Sequence, residues 1–202
     1  MTAMAANLNR PGAKSTRTHG LREATHGAFR EATRQLASGV FLVTWGSGQD
    51  HAGLTATSVG SLSADPPTLL VSVNRTSSGY PVLQSHGEFV VNALAADQRE
   101  IADRFVGAPR LTREDPICGG RWLGLPGGAS YLAGSVAVFD CEALERIERR
   151  AHSIFIGHVR RVLVGDGSGA LVRWRGAYDQ VGWSRDEIAR AVGLSPCGAR
   201  TD

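Results

Sequence analysis

The chain has 202 residues, a net charge of +3, 42% hydrophobic residues and 20% charged ones. This fits one soluble domain with a substantial core. No apolar run reaches the roughly 18 residues of a membrane-spanning helix. The three cysteines, Cys118, Cys141 and Cys197, are widely spaced without a Cys-x-x-Cys, which argues against a disulfide framework or a zinc site.

Residues 1–24 are small, polar and basic, with no apolar core of a signal peptide, and read as a flexible tail. A cytoplasmic location is the expectation that follows. The positive charge is dispersed arginine rather than a stripe interleaved with aromatics, so a nucleic-acid-binding module would rest on charge alone. No nucleic acid and no membrane are therefore expected among the partners.

The predicted elements begin with a helix over His26–Ser38, with Phe29, Thr33 and Leu36 near one face and Gly39 as its stop. A β-branched and aromatic strand follows over Val40–Trp45. The turn-forming residues 46–50 reverse the chain into a strand over His51–Ser58, and Val59–Ser63 continues extended. Asp65-Pro66-Pro67 is expected to turn the chain and stay out of the sheet ladder. Thr68–Val73 is almost wholly apolar and reads as a strand buried on both faces.

A short helix is predicted over Ser77–His86 and a strand over Glu88–Leu94. Asp97 and Glu100 have capping-box spacing and open a helix through Phe105. Residues 108–129 read as a surface loop and Tyr131–Leu144 as one long strand. Strands over Ser153–Val164, Ala170–Trp174 and Ala177–Val181 follow, with a turn at Gly165–Gly169. Ser184 and Glu187 form a second capping box, so residues 184–202 are predicted as a helix and tail behind a domain over 25–183. Many short strands, few helices and hairpin turns predict a mainly β fold, an antiparallel β-barrel with peripheral helices.

The densest chemistry lies between Gly53 and Ser78. Thr55, Thr57, Ser58, Ser61, Ser72, Ser77 and Ser78 supply hydroxyls. Arg75 supplies a planar cation suited to phosphate, and Asn74 can donate to and accept from a heteroaromatic edge. On composition alone, ordinary strand and turn usage is the better account of the same hydroxyls. No Gly-x-Gly-x-x-Gly, P-loop or nucleophile elbow is present. The six histidines are scattered, and His152 and His158, six apart on one strand, would stand about 20 Å apart. No metal site is expected.

Taken in order, several segments together resemble the short-chain flavin reductases that serve two-component flavin monooxygenases. They are Leu36–Val40 leading to Val43-Thr44, Gly53–Ser58, Ser61–Pro67, Val73–Ser77, Phe89–Leu94, Gln98 with Ile101, Ala102 and Phe105, His152–Val159, and Gly176–Tyr178. The resemblance covers roughly residues 27–181. It implies a split barrel of Greek-key-like topology related to FMN-binding proteins, a homodimer, and reduction of FMN or FAD by NADH or NADPH. Reduced flavin would diffuse to a separate monooxygenase or halogenase.

The flavin contacts so implied fall on Gly39, Val40, Thr55, Ala56, Thr57, Ser58, Ser61 and Leu62. Asn74, Arg75 and Ser77 would lie toward the phosphate, and His152 would border the nicotinamide as the catalytic-site histidine. Two departures stand out. Arg150-Ala151 replaces the Gly-Asp common before that histidine, and Gly79 stands where a threonine is common. The first removes an orienting carboxylate and leaves open a flavin carrier or redox sensor without turnover. It also sets Arg150 where it could face a dinucleotide phosphate.

Overall fold

A computed structural model of the chain describes residues 20–46, 51–106, 120–127, 129–165 and 169–182. The chain divides into two compact units, Met1–Thr33 and Arg34–Asp202. The predicted helix over 184–202 and most of the predicted basic tail lie outside the described residues.

The first unit contains helix α1, His26–Thr33. Thr25 Oγ1 accepts from the Ala28 N–H at 3.3 Å, an N-terminal cap. Phe29, expected on a buried face, is 64% exposed. The helix also ends five residues earlier than predicted. Ser38 and Gly39 form strand β1 instead, paired with Arg173 and Val172.

The second unit carries the strands. They are β2 (Phe41–Trp45), β3 (Ala52–Ala56), β4 (Val59–Ala64), β5 (Pro67–Asn74), β6 (Glu88–Ala93), β7 (Trp122–Gly124), β8 (Ser130–Leu132), β9 (Ala137–Arg149), β10 (His152–Val164), β11 (Ala170–Trp174) and β12 (Ala177–Val181). A seven-stranded antiparallel sheet runs β3-β2-β6-β9-β10-β5-β4, with smaller sheets β1-β11-β12 and β7-β8. Strands β3 and β4 are consecutive in the chain, joined only by Thr57-Ser58, yet form opposite edges of the large sheet. So short a link requires the sheet to roll until its edges meet. The edges are not paired with each other, so the barrel is split there, as the predicted fold class requires.

Alternation along β2 feeds two cores. Val43 and Trp45 point inward to Leu54, Val71, Tyr80, Phe89, Cys141 and Phe155. Val40 and Leu42 point outward to Leu94, Ala102, Phe105, Leu132 and Leu171. The outer core joins the barrel to α3 (Arg99–Arg104) and the small sheets. Among the described residues no helix is long and apolar enough to cross a membrane.

Several predicted boundaries move for physical reasons. Pro67 does join the ladder, as the first residue of β5 opposite Ala64, a position where a missing N–H is tolerated. The predicted helix over Ser77–His86 contracts to α2, Tyr80–Leu83. Strand β5 is not wholly buried, for Leu70 and Ser72 are half-exposed on its outer face. Asp97 is not the cap expected of it. Ala96–Gln98 forms a 3₁₀ turn instead, and Gln98 Oε1 accepts from the Ala95 N–H at 3.0 Å. The strand predicted over Tyr131–Leu144 is two strands, separated by a turn at Gly134 with φ +81°. Trp122–Gly124, expected as loop, pairs with Ser130–Leu132.

Candidate functional site

Strand β5 organises the candidate residues. Its partner β10 sets Asn74 opposite His152, Ser72 opposite Ile154 and Val71 opposite Phe155. On its other side Val59 faces Val71, and the Ser72 N–H donates to the Ser58 carbonyl at 2.9 Å. Side chains opposite one another in an antiparallel ladder share a face, and so do residues two apart. Ser58, Ser72, Asn74, Ile154 and His152 therefore share the outer face of the sheet. Val71, Val73, Ser153 and Phe155 point into the barrel and are buried.

From Ser58 to His152 is two strand spacings and two residues, about 12 Å. Between them lie half-buried Ser72 and Ile154, and half-buried Leu70 and Ile156 continue the face on the side away from His152. One end of this strip carries the Ser58 hydroxyl and the other the His152 imidazole.

The predicted contacts separate into free and engaged groups. The hydroxyls of Thr57, Ser58 and Ser61 make no hydrogen bond among the described residues. Ser58 and Ser61 are exposed and Thr57 is half-buried. The β4–β5 register shifts between Ser61 and Ser63, which bulges Leu62 out to 53% exposure. As an edge strand, β4 also leaves half of its backbone groups unpaired along the seam.

Thr55 is different: its Oγ1 donates to the Ala102 carbonyl at 2.8 Å, fastening β3 to α3. Ala56 is buried in the inner core. Gly39 and Val40 stand apart, at the start of β2 beside the small sheet. Val40 is buried in the outer core, and its N–H and C=O pair with Leu171 and Leu94. A Cβ on Gly39 would come 2.9 Å from the Phe41 ring.

At the expected phosphate end the side chains hold one another. Asn74 Oδ1 accepts from the N–H and hydroxyl of Thr76, both at 2.9 Å, forming an Asx turn. Ser77 Oγ donates to the Asn74 carbonyl at 2.7 Å. Arg75 is a clamp. Its Nη2 lies 3.4 Å from Glu148 Oε2, its Nη1 donates to the Arg150 carbonyl at 3.3 Å, and its N–H donates to the Ala151 carbonyl at 2.8 Å. Glu148 is the partner that no local pattern reveals, since the β9–β10 hairpin alone brings it to β5.

His152 is exposed, and among the described residues its imidazole makes no hydrogen bond. Gly79 also acquires a reason. A Cβ there would lie 2.8 Å from Trp45 Cη2, so the indole fills the room a larger residue would need.

The flavin reductase like domain model matches residues 33–182. Among curated relatives, FMN reductase (NADH) RutF 2 of Methylorubrum extorquens is 41% identical over 145 residues, spanning 72% of this chain and 83% of that protein. BorF, the flavin reductase component of a bacterial two-component tryptophan halogenase, superposes with a TM-score of 0.69 at 31% identity, covering 78% of this chain and 99% of that one. The NADH:FAD oxidoreductase SgcE6 of Streptomyces globisporus gives a TM-score of 0.73 at 25% identity, over 81% and 98% of the two chains. The chain belongs to the flavin reductase like domain family.

Proposed function

We propose that this protein reduces a flavin, FMN or FAD, with NADH or NADPH, and releases it to a separate flavin-dependent monooxygenase or halogenase. The observation that carries the reading is the outer-face strip. The free hydroxyl of Ser58 and the unpartnered imidazole of His152 stand at its two ends, about 12 Å apart.

The residues present fit a flavin. Half-buried Leu70 and Ile154 offer an apolar bed for a planar ring, and small residues at the seam let the ring approach the backbone. The redox chemistry is the cofactors' own, a hydride passing from nicotinamide to flavin. The chain's part is positioning. Ser58 hydrogen-bonds the polar ring edge, with Thr57 and Ser61 beside it along the seam, and His152 orients the nicotinamide above the strip. The phosphate meets the Asn74–Ser77 turn, where Arg75 must exchange Glu148 for it. With that cost at its phosphate end, the site suits a flavin that leaves as product.

Support for the activity comes from the relatives named FMN reductase (NADH), and support for a downstream halogenase or oxygenase from the likeness to BorF. A homodimer is part of the proposal. The test is nicotinamide absorbance, followed with NADH and NADPH against FMN and FAD. Flavin-dependent oxidation is expected; none with any pair would overturn the reading. Tight flavin retention without oxidation would select a carrier.

A further inference from the structure

The β9–β10 hairpin turns at Arg150-Ala151, between the paired residues Arg149 and His152. Arg150 has φ +45°, in the left-handed region that a side chain makes unfavourable by about 1–2 kcal/mol. Arg75, directly after β5, donates to the carbonyls of both turn residues, Arg150 and Ala151, and ties the turn to the sheet. The side chain of Arg150 is thus held at the tip of the hairpin, two residues from His152 and exposed.

The neighbouring cations are all engaged. Arg75 lies 3.4 Å and Arg146 3.6 Å from the carboxylate of Glu148. Arg146 also donates to Gln84 Oε1 at 3.4 Å, and Arg149 to the Glu148 carbonyl at 2.8 Å. Arg150 differs: its guanidinium has no hydrogen bond or ion pair among the described residues. Two cations already share the single charge of Glu148. The tip therefore carries a surplus of positive charge, which attracts anions.

We propose that Arg150 binds a phosphate of the nicotinamide dinucleotide, either the 2′-phosphate or the pyrophosphate. The assignment rests on His152 bordering the nicotinamide, as proposed above. A guanidinium suits a phosphate through two parallel N–H donors. Of the arginines around the hairpin, Arg150 alone can meet one without first breaking an ion pair or hydrogen bond among the described residues. It is a binding residue with no part in hydride transfer.

The experiment compares the full-length protein with Arg150→Asn and Arg150→Lys. Asparagine tolerates the left-handed conformation and removes the charge, so the hairpin is retained; thermal melts verify this. KM is measured for NADH and NADPH at saturating flavin, and for FMN and FAD at saturating nucleotide. NADH and NADPH binding is measured in parallel by calorimetry, which reports whether or not the protein turns over.

Arg150→Asn is expected to weaken nicotinamide nucleotide binding about threefold or more, the size of an exposed ion pair, and Arg150→Lys to recover part of it. An effect larger for NADPH than for NADH assigns the 2′-phosphate; an equal effect assigns the pyrophosphate. A smaller effect on both, or one confined to the flavin KM, overturns the proposal. Absence of flavin-dependent oxidation in the unmodified protein overturns the reductase reading instead, and the calorimetric comparison then decides the role of Arg150 alone.

Discussion

Trp45 and Gly79 fit each other as filler and gap: a Cβ on Gly79 would stand 2.8 Å from Cη2 and 2.9 Å from Cζ2 of the indole. Gly79→Thr is expected to destabilise the fold by about 1–3 kcal/mol through overpacking. Trp45→Phe removes the ring atoms that crowd the position, so the double variant should melt above Gly79→Thr alone. A double-mutant cycle showing no coupling would separate the two sites.

The seam hydroxyls divide by what they touch, and substitution should divide them again. Ser58→Ala is expected to raise the flavin KM about three- to tenfold with little change in melting temperature, the effect of losing one hydrogen bond. Thr55→Ala breaks the bond to Ala102 and should lower stability by about 1 kcal/mol, leaving flavin KM nearly unchanged. The opposite pattern would move the flavin off β4.

His51 is buried with its Nε2 unpartnered, and its ring meets Trp122 edge-on at 4.8 Å. Burial holds its pKa below the ordinary 6.5. The unfolded chain therefore binds the proton more readily than the folded one. The resulting stability is whole above about pH 6.5 and is lost as pH falls from there toward the folded value. Melting temperature measured from pH 8 to pH 5 should fall on the acid side of about pH 6.5. His51→Phe should flatten that fall; an unchanged slope assigns it to other groups.

Cys141 is fully buried, and burial, with the neighbouring Asp140 charge, pushes its thiol up to about 12. A thiolate is the reactive form, so Cys141 should resist alkylation in the native protein and label fully in urea. Peptide-level mass spectrometry distinguishes it from Cys118 and Cys197. Rapid native labelling of Cys141 would contradict its placement.

Asp140 is buried between two arginines, with Arg160 at 3.0 Å and Arg161 at 3.3 Å. Asp140→Ala should cost about 2 kcal/mol in a denaturant melt, since two charge-assisted hydrogen bonds go with it. The arginines are partly exposed and can turn to water, which keeps the loss below that of stranding a buried charge.

Much of this was readable in the chain. The runs Phe41–Trp45, Thr68–Val73 and Glu88–Ala93 are strands because they are short, apolar and enriched in β-branched and aromatic residues, and the antiparallel class follows from the turns between. Helix α1 was overestimated because Ser38-Gly39 pairs with residues more than 130 positions later, a contact invisible to local periodicity. The free seam hydroxyls were legible as a cluster, but not their separation from Thr55, which depends on α3. Arg75 was legible as a cation for phosphate. That Glu148 and the Arg150 carbonyl already hold it comes from the register of three strands.

The two-residue link between β3 and β4 also limits how the barrel can move. From Ala56 to Val59 is three Cα steps, so the two edges cannot part there by more than about 11 Å. The link therefore holds the seam together at Thr57-Ser58, where the Ser58 carbonyl is also pinned to β5 by the Ser72 N–H, and the Ser58 hydroxyl keeps a fixed place beside the outer face of the sheet.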